Sequence, residues 1–306
     1  MTVLVTGGTG FIGSYVVRGL VERGVKPVAY DVAAGTGLIK DILNKVNVIK
    51  GDILDIESLI HAIKNYEVKH IIHAGVLPLR FSEDNPPLAL KINGEGTVNM
   101  LEAARKMDIE RLVFVSTEDV YGPTTEEVVD EDHPTRPNTA LGATKLLGEL
   151  YGLFYNKKYG LDFLTLRFPS AYGFGKLLGR HIAVIHDEII TNAILGKPTV
   201  IRSGGDTRYE WIYVKDFAGA LILACYAKNF HSRIFNIGVG NMMTPRDLTD
   251  VVREIYPNSR IEIGPGVDRV HFLLDFARAS KELGYSPRYK PRDAVKDYAD
   301  MMRRLT

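Results

Sequence analysis

The sequence predicts an α/β fold, a doubly wound parallel sheet followed by a smaller carboxyl-terminal α/β lobe. Short, nearly wholly apolar runs alternate with helical patterns over the first two thirds of the 306 residues, as expected for a parallel sheet covered on both faces. A glycine-rich turn follows the first run, and the rhythm changes after about residue 170. We therefore expect a nucleotide-binding domain at 1–170 and a substrate-binding lobe at 171–306, interwoven without a flexible linker.

The apolar runs place the strands, and the patterns between them place the helices. Strands are predicted at 3–7, 27–30, 47–52, 70–74, 111–116 and 163–168, with shorter ones near 199–202, 209–214, 233–237 and 260–263. Helices are predicted near 13–23, 55–65, 86–107, 141–159, 182–195, 215–228, 244–256 and 291–305. Ligands of open parallel sheets bind beyond the carboxyl ends of the strands. We therefore expect the functional site in the cleft between domain and lobe.

Composition and charge narrow the class of protein. A hydrophobic content of 45% and a charged content of 25% are typical of a soluble globular chain. The net charge of +1 gives no reason to expect nucleic acid or a membrane as partner. A strand pattern from the first residues leaves no room for a signal peptide, and no apolar run reaches membrane-spanning length. With the single Cys225 excluding an internal disulfide, we expect a cytoplasmic protein that acts on a small molecule.

A glycine loop lies between the first strand and the first helix. Gly7, Gly10 and Gly13 give the spacing G-x-x-G-x-x-G. One glycine permits a tight turn, one lets a pyrophosphate approach the backbone, and one lets the helix pack on the strand. The helix amino terminus, with Phe11 and Ile12 in its first turn, would face the phosphates with unpaired N–H groups. The loop therefore predicts dinucleotide binding.

Acidic residues after the next two strands indicate which dinucleotide is bound. Asp31 closes the second strand, where a carboxylate accepts hydrogen bonds from the adenosine ribose hydroxyls. A carboxylate there repels a 2′-phosphate and no arginine follows immediately, which favours NAD over NADP. Asp52 and Ile53 end the third strand and are placed to contact the adenine. The predicted cofactor is therefore NAD.

Several further motifs occur in order along the chain: GDILD, HAGV, KINGEGTVNMLEAAR, FVSTEDVYG, RFPSAYG and WIYVKDFAGAL. Together with TGGTGFIG they resemble, over nearly the whole length, the extended short-chain dehydrogenases/reductases of the NAD-dependent epimerase/dehydratase branch. The resemblance implies a Rossmann domain and a tightly held NAD that takes a hydride from a substrate carbinol carbon, to be returned or kept. It also implies cofactor contacts by Ala74, Gly75, Val76, Asn93, Val115 and Pro169.

The resemblance implies a catalytic set in which one member is missing. In the family a Ser or Thr hydroxyl binds the reacting oxygen, and the tyrosine of Y-x-x-x-K, one turn before the lysine, takes its proton. By spacing, Thr117 is the hydroxyl and Lys145 the lysine that holds the nicotinamide ribose, with Pro137 confirming the register. The tyrosine position holds Leu141. Leucine has no proton to exchange, so the standard mechanism is excluded.

Three interpretations of Leu141 remain open. In the first, another side chain exchanges the proton, and Glu118 beside Asp119 is preferred because dehydratases of the family carry an acidic pair there. A partly desolvated carboxylate can act as general acid or base; Tyr172, His133 and His181 are weaker candidates. In the second, the protein is a catalytically weak NAD-binding ligand sensor. In the third, leucine replaces a tyrosine in a variant chain.

The substrate site departs from the family as well. Tyr209 stands where the family has an arginine for a diphosphate, and Arg208 lies one residue earlier. Pro265 takes the place of a second arginine, which the family has three residues before an aspartate that Asp268 resembles. Arg269 comes directly after this aspartate instead. A diphosphate prefers bidentate guanidinium contacts. The departures favour a sugar-like substrate held differently, or a dehydrogenase or reductase of a small compound without a nucleotide.

Further residues are candidates for substrate binding, and two long helices are candidates for dimerisation. Tyr172 and the loop at 173–181, with Lys176, Arg180 and His181, are candidates for binding an anionic or polar part of the substrate. The family often pairs through the two long helices predicted at 86–107 and 141–159, which implies a homodimer.

Overall fold

Thirteen strands are present in the residues that the computed structural model describes, which are 2–176, 184–268 and 271–306. They are β1 (Thr2–Thr6), β2 (Val28–Asp31), β3 (Asn47–Lys50), β4 (Val68–His73), β5 (Arg111–Val115), β6 (Val128–Val129), β7 (Phe163–Arg167), β8 (Ser170–Tyr172), β9 (Thr199–Ile201), β10 (Trp211–Tyr213), β11 (Ile234–Asn236), β12 (Ile261–Ile263) and β13 (Leu273–Leu274). Seven of them form one parallel sheet in the order β11-β7-β5-β4-β1-β2-β3. The predicted doubly wound parallel sheet is confirmed.

The helices cover both faces of this sheet and build the lobe. They are α1 (Phe11–Glu22), α2 (Ile56–Asn65), α3 (Leu79–Asp84), α4 (Pro86–Ala89), α5 (Gly96–Lys106), α6 (Ala140–Tyr159), α7 (Ile185–Ile194), α8 (Val214–Tyr226), α9 (Pro245–Ile255), α10 (Ala277–Leu283) and α11 (Pro291–Leu305). Two 3₁₀ segments lie at Gly37–Lys45 and Glu118–Val120.

The single helix predicted at 86–107 is divided by a π-helical segment, Leu90–Glu95, between α4 and α5. Gly94 and Gly96 at this point weaken the regular helix, since glycine is a poor helix former. Gly96 also admits a neighbour, because a Cβ there would lie 2.6 Å from Ile53 Cδ1. The π segment thus brings the helix closer to the residues after β3 than a side chain would allow.

Successive residues of β1 show how the sheet is buried. Val3 and Val5 belong to the hydrophobic cluster on the face of α1 and α8. Leu4 belongs to the cluster on the opposite face, with α2 and α5. All three side chains are fully buried, as the alternation of side chains along a strand requires when both faces are covered.

One strand of the main sheet comes from late in the chain. β11 lies in the predicted lobe, yet it pairs with β7 in the register Ile234↔Thr165 to Asn236↔Arg167. Of the three small parallel pairs, β13-β6 also joins a late segment to an early one, β10-β8 joins the lobe to its boundary with the first domain, and β12-β9 lies within the lobe. Within the described residues, no helix is long and apolar enough to span a membrane.

Candidate active site

Most of the predicted site residues follow strands that lie side by side in the sheet. Because the strands are parallel, their carboxyl ends meet at one edge. Read across the sheet, this edge carries Pro169 after β7, Thr117 after β5, Ala74 after β4, Gly7 after β1, Asp31 at the end of β2 and Asp52 after β3. The residues predicted for the chemistry therefore occupy one end of the edge, and those predicted for the adenosine the other.

The glycine loop has the geometry of an anion cradle. Gly7 has φ +63°, a conformation that glycine adopts without strain. A Cβ at Gly13 would lie 2.0 Å from the Gly7 carbonyl oxygen, so only glycine lets α1 start this close to the turn. The first three N–H groups of α1 precede its first hydrogen bond, Ser14 N to Gly10 O at 2.9 Å. They are free to bind a pyrophosphate.

The two predicted acids are held by backbone groups. The Asp31 carboxylate accepts from Thr9 N at 3.1 Å and from Ala33 N at 3.0 Å. These bonds fix it beside the glycine loop with lone pairs left for ribose hydroxyls. Asp52 Oδ1 accepts from Leu54 N at 2.9 Å, which sets the turn that presents Ile53. Both contacts agree with an adenosine site at this end of the sheet.

A buried hydrogen-bond chain fixes the loop after β4. Thr6 Oγ1 accepts from Gly75 N at 3.0 Å and lies 2.6 Å from His73 Nδ1, while His73 Nε2 lies 3.1 Å from Thr97 Oγ1. Burial, followed by the charge of Lys145, lowers the pKa of His73 to about 3. Since Thr97 Oγ1 already donates to Asn93 O at 2.6 Å, the neutral imidazole carries its proton on Nε2. The chain holds Ala74, Gly75 and Val76 against the glycine loop.

Asn93 holds the continuation of the same loop by hydrogen bonds to the backbone of Leu77. Its side chain is 2% exposed. Its Oδ1 accepts from Leu77 N at 2.7 Å and its Nδ2 donates to Leu77 O at 3.2 Å. The amide is therefore occupied by the loop backbone, so the structure gives Asn93 a supporting position behind the loop.

Thr117 and Glu118 open the short 3₁₀ turn after β5. Thr117 Oγ1 accepts from Asp119 N at 3.2 Å and donates to Asp119 Oδ2 at 2.9 Å, so Asp119 orients the hydroxyl. Glu118 N donates to Phe168 O at 2.9 Å, and Tyr121 N donates to Glu118 O at 3.0 Å. Glu118 is half-buried. Its backbone is thus tied to the segment that carries Pro169.

Lys145 reaches the same strand end from α6. Its Nζ donates to Val115 O at 2.7 Å and lies 4.7 Å from the centre of the Phe114 ring. The side chain is 4% exposed. Burial lowers the pKa of Lys145 to about 7, against the opposing effect of the Glu149 carboxylate. Near neutral pH this amine therefore exists in both protonation states.

The first turn of α6 packs closely on the 3₁₀ turn. A Cβ at Gly142 would lie 2.5 Å from Asp119 O, so glycine is needed for this approach. Leu141, half-buried, lies one turn before Lys145. The position of the family tyrosine is thus present in the fold, and an apolar side chain fills it.

A buried ionic network behind the site was missed by the sequence interpretation. Arg167 Nη2 lies 2.6 Å from Glu149 Oε2 with both side chains almost fully buried. Ser116 Oγ donates to Glu149 Oε1 at 2.5 Å, and Arg167 Nη1 donates to the Tyr121 hydroxyl at 2.9 Å. Burial raises the pKa of Tyr121 to about 12. A charged residue inside an apolar strand pattern, Arg167, was the available signal.

The predicted substrate-binding residues do not form one cluster among the described residues. Tyr172 is 5% exposed and packs against the rings of His186 and Tyr213. Burial raises the pKa of Tyr172, so it is not a proton donor poised near neutrality. Arg208 is exposed, and the ring of the next residue, Tyr209, stacks on Trp211 with centroids 5.0 Å apart. Arg180, His181 and Arg269 lie outside the described residues.

Fold and site together define a class. A glycine cradle, a carboxylate at the end of β2, and Thr117 and Lys145 meeting at the end of β5 are the arrangement of a dinucleotide-dependent α/β enzyme. In the part of the chain that the structure describes, no group of three or more His, Cys, Asp or Glu side chains could hold a metal ion.

Comparison with known proteins names the family. The model of the NAD dependent epimerase/dehydratase family matches residues 3–238, and the chain belongs to this family. A Methanocaldococcus jannaschii protein, provisionally named a UDP-glucose 4-epimerase, is 32% identical over 308 residues, with 98% of each chain covered. The dTDP-glucose 4,6-dehydratase of Streptomyces niveus is 27% identical, with 99% of this chain and 93% of that protein covered.

A solved structure gives the same result. The UDP-glucose 4-epimerase of Thermotoga maritima, crystallised with UDP-glucose, has a TM-score of 0.88 at 25% identity, with 99% of each chain covered. The protein is thus an NAD-dependent enzyme of the extended short-chain dehydrogenase/reductase type, and the cradle at Gly7–Gly13 and the Asp31 carboxylate fit that cofactor.

Proposed function

We propose that this enzyme acts at a carbinol carbon of a sugar or sugar-like substrate by epimerase- or dehydratase-type chemistry, with Glu118 in place of the missing tyrosine. NAD bound along the sheet edge would accept the hydride from that carbon. Membership of the epimerase/dehydratase family supports the reaction type. The observation that carries the proposal is the meeting of Thr117, Glu118 and Lys145 at the end of β5, with Leu141 at the tyrosine position.

Each residue has a defined task in this proposal. The Thr117 hydroxyl, oriented by Asp119, would bind the reacting oxygen. Glu118 would take the proton from that oxygen and give it back, since a positioned carboxylate can act as general base and general acid. Lys145, fixed to Val115 O, would hold the nicotinamide ribose.

The test is the variant Glu118→Gln, assayed with a panel of UDP- and dTDP-sugars, sugar acids and small ketones. We expect kcat to fall about a hundredfold, the usual contribution of a general acid–base, with the Kd for NAD unchanged. Glu127→Gln, at an exposed position a few residues on, is the matched control. Full turnover by Glu118→Gln would remove Glu118 from the mechanism. No turnover by the native enzyme despite tight NAD binding would favour a ligand sensor.

A second candidate is a dehydrogenase or reductase of a small compound without a nucleotide. It is favoured by Tyr209, whose stacked ring occupies the place of the family arginine. Titration with UDP and with UDP-glucose separates the two, because a diphosphate-binding enzyme retains affinity for UDP. Readily exchanged NAD and NADH would support the second candidate, whereas NAD that survives gel filtration would support the first.

A homodimer is part of the proposal. On α6, the side chains of Leu150, Tyr151 and Phe154 are 59%, 44% and 51% exposed. A groove adjoins them at Tyr151 and is lined by Pro87, Leu90, Lys91, Gly94, Glu95, Val98, Leu147 and Tyr151. Exposed apolar side chains grouped in this way favour burial against a partner, and a second copy of the chain would bring the same face of α6 to meet them.

A further inference from the structure

The segment between β8 and α7 contains a short loop, residues 173–176, that packs on the cofactor cradle. A Cβ at Gly173 would lie 3.4 Å from Phe11 Cε2, and Lys176 Nζ lies 5.9 Å from the centre of the Phe11 ring. The Tyr15 hydroxyl donates to Phe174 O at 2.9 Å. The 173–176 loop therefore rests on the first turns of α1, whose N–H groups form the pyrophosphate cradle.

One buried carboxylate holds this loop in place. Asp187, in the first turn of α7, is fully buried, and its Oδ1 accepts from Gly173 N at 3.1 Å. Lys176 Nζ donates to Ala171 O, and its charge favours the ionised form of Asp187. Asp187 thus acts on the 173–176 loop at its beginning by a hydrogen bond and at its end by charge.

The second oxygen of this carboxylate has an unusual environment. Asp187 Oδ2 makes no hydrogen bond of normal geometry to a described residue, although the Tyr298 hydroxyl lies close enough to favour the ionised carboxylate. It lies 3.2 Å from His186 Nδ1, but Nδ1 already accepts from Asp187 N at 3.0 Å. His186 is therefore neutral and offers Oδ2 no proton, in agreement with a pKa held well below its usual range by burial. A buried carboxylate oxygen with so little hydrogen bonding is costly in its ionised form.

We propose that Asp187 is a positioning residue for the cofactor, which sets the 173–176 loop against the first turn of α1 through Gly173 and Lys176. The ionised carboxylate makes the stronger bond to Gly173 N, because charge-assisted hydrogen bonds exceed neutral ones. Protonation of Asp187 loosens the loop and weakens NAD binding. The inference depends on NAD binding, which family membership establishes, and not on the proposed reaction.

Protonation falls in an accessible range. Burial raises the pKa of Asp187 to about 7, against the lowering effects of Lys176, the Gly173 N–H group and the Tyr298 hydroxyl. The titratable and charged groups that face Asp187 from the surrounding elements are His186 on α7, Lys176 on the loop, Tyr298 on α11, Tyr172 on β8 and Tyr15 on α1. Burial raises the pKa of each of these three tyrosines and keeps their hydroxyls neutral. Lys176 and Asp187 are therefore the groups whose charges matter to the loop.

The test is the Kd for NAD of the full chain, measured by calorimetric titration on either side of neutrality. For the native protein we expect Kd about tenfold higher at about pH 6 than at about pH 8, the value of one charge-assisted hydrogen bond. At both pH values, Asp187→Asn should have the Kd that the native protein has at the lower pH. Lys176→Gln, at a partly exposed position, provides a second variant and should also raise Kd at the higher pH.

A matched control is available in α8. Asp216 is also a buried first-turn carboxylate with a raised pKa, and it accepts from Arg288 N and Tyr289 N, both at 3.0 Å. The backbone groups that Asp216 holds belong to residues 288 and 289, and not to the 173–176 loop. Asp216→Asn should leave the Kd for NAD and its pH dependence unchanged. The proposal fails if Asp187→Asn keeps the native pH dependence, or if Asp216→Asn reproduces the effect of Asp187→Asn.

Discussion

Leu141 removes one proton-exchanging group from the active site but leaves its surroundings complete. Lys145 lies one turn later on α6 and still reaches Val115 O, and Gly142 still lets the helix approach Asp119 O. A phenol at position 141 would therefore lie on the same helix face as Lys145. The missing tyrosine is a change of one side chain within a preserved frame.

This frame allows a rescue experiment. Leu141→Tyr restores the phenol, and in the Glu118→Gln background it should raise kcat at least about tenfold above that of Glu118→Gln alone. This is a part of the usual general acid–base contribution. Steady-state kinetics on the best substrate of the panel would measure it. Leu141→Phe in the same background supplies the ring without the hydroxyl and should recover nothing. Equal recovery by both variants would show that shape, and not proton transfer, limits the Glu118→Gln enzyme.

The pKa of Lys145 makes a prediction about stability. Its folded-state pKa of about 7 lies below the ordinary value of 10.5, so the unfolded chain binds more protons between these two values. The free energy of unfolding therefore gains a contribution of a few kcal/mol as the pH rises from about 7 towards 10. Urea unfolding of NAD-free protein should show this gain relative to Lys145→Met. If the difference in the free energy of unfolding between the two proteins did not change over that pH range, the lowered pKa of Lys145 would be wrong.

Several residue roles followed from the sequence, and others did not. The glycine spacing and Asp31 could be placed because the first strand, turn and helix are contiguous in the chain. The pairing of Glu149 with Arg167 depends on α6 packing against β7, which no local pattern reveals. Asp187 was missed for the same reason, since its partner Gly173 lies across a loop whose path the pattern does not specify.

At the scale of elements, the Glu149–Arg167 pair links α6 to β7 just behind the turn that carries Thr117 and Glu118. Glu149→Gln would leave the Arg167 charge buried without its counter-ion. We expect the free energy of unfolding to fall by about 3 kcal/mol, because an uncompensated buried charge is strongly destabilising. Denaturant unfolding gives the value.

Two further variants sharpen that measurement. The partly exposed pair of Glu102 and Arg105, at 2.6 Å, is a control, and Glu102→Gln should change stability by less than about 1 kcal/mol. The double variant Glu149→Leu with Arg167→Met should be more stable than Glu149→Gln, since it removes both charges. A loss for Glu149→Gln no larger than that for Glu102→Gln would mean that the buried pair contributes little.

Length alone does not separate the strands that were predicted from those that were not. The ten predicted strands are all present, although four of them have only three residues. β6, β8 and β13 were not predicted, since their pairing is specified by partners across the fold. The division of the helix at Leu90–Glu95 depends on the close approach of Ile53 and equally escapes a periodic pattern.

At the scale of the whole molecule, the apolar face of α6 bears on the assembly. Phe154→Glu would place a charge at the centre of the proposed helix interface, and we expect the protein to sediment as a monomer at micromolar concentration. Val200, 58% exposed on β9, is a control of similar exposure far along the chain, and Val200→Glu should leave the native dimer intact. A native protein that already sediments as a monomer would refute the dimer.

The late position of β11 in the chain has a consequence for synthesis on the ribosome. β7 obtains its outer neighbour only when residues 234–236 have been made, and Asn236 then accepts from the Tyr121 hydroxyl at 2.7 Å. Until then the nascent chain exposes an unpaired strand edge, which is prone to association with other chains. A fragment ending at residue 170 should therefore aggregate, whereas one extended beyond β11 has the strand needed to complete its sheet. Tyr121, which ends the turn carrying Thr117 and Glu118, thus obtains its hydrogen-bond partner from a segment that leaves the ribosome more than a hundred residues later.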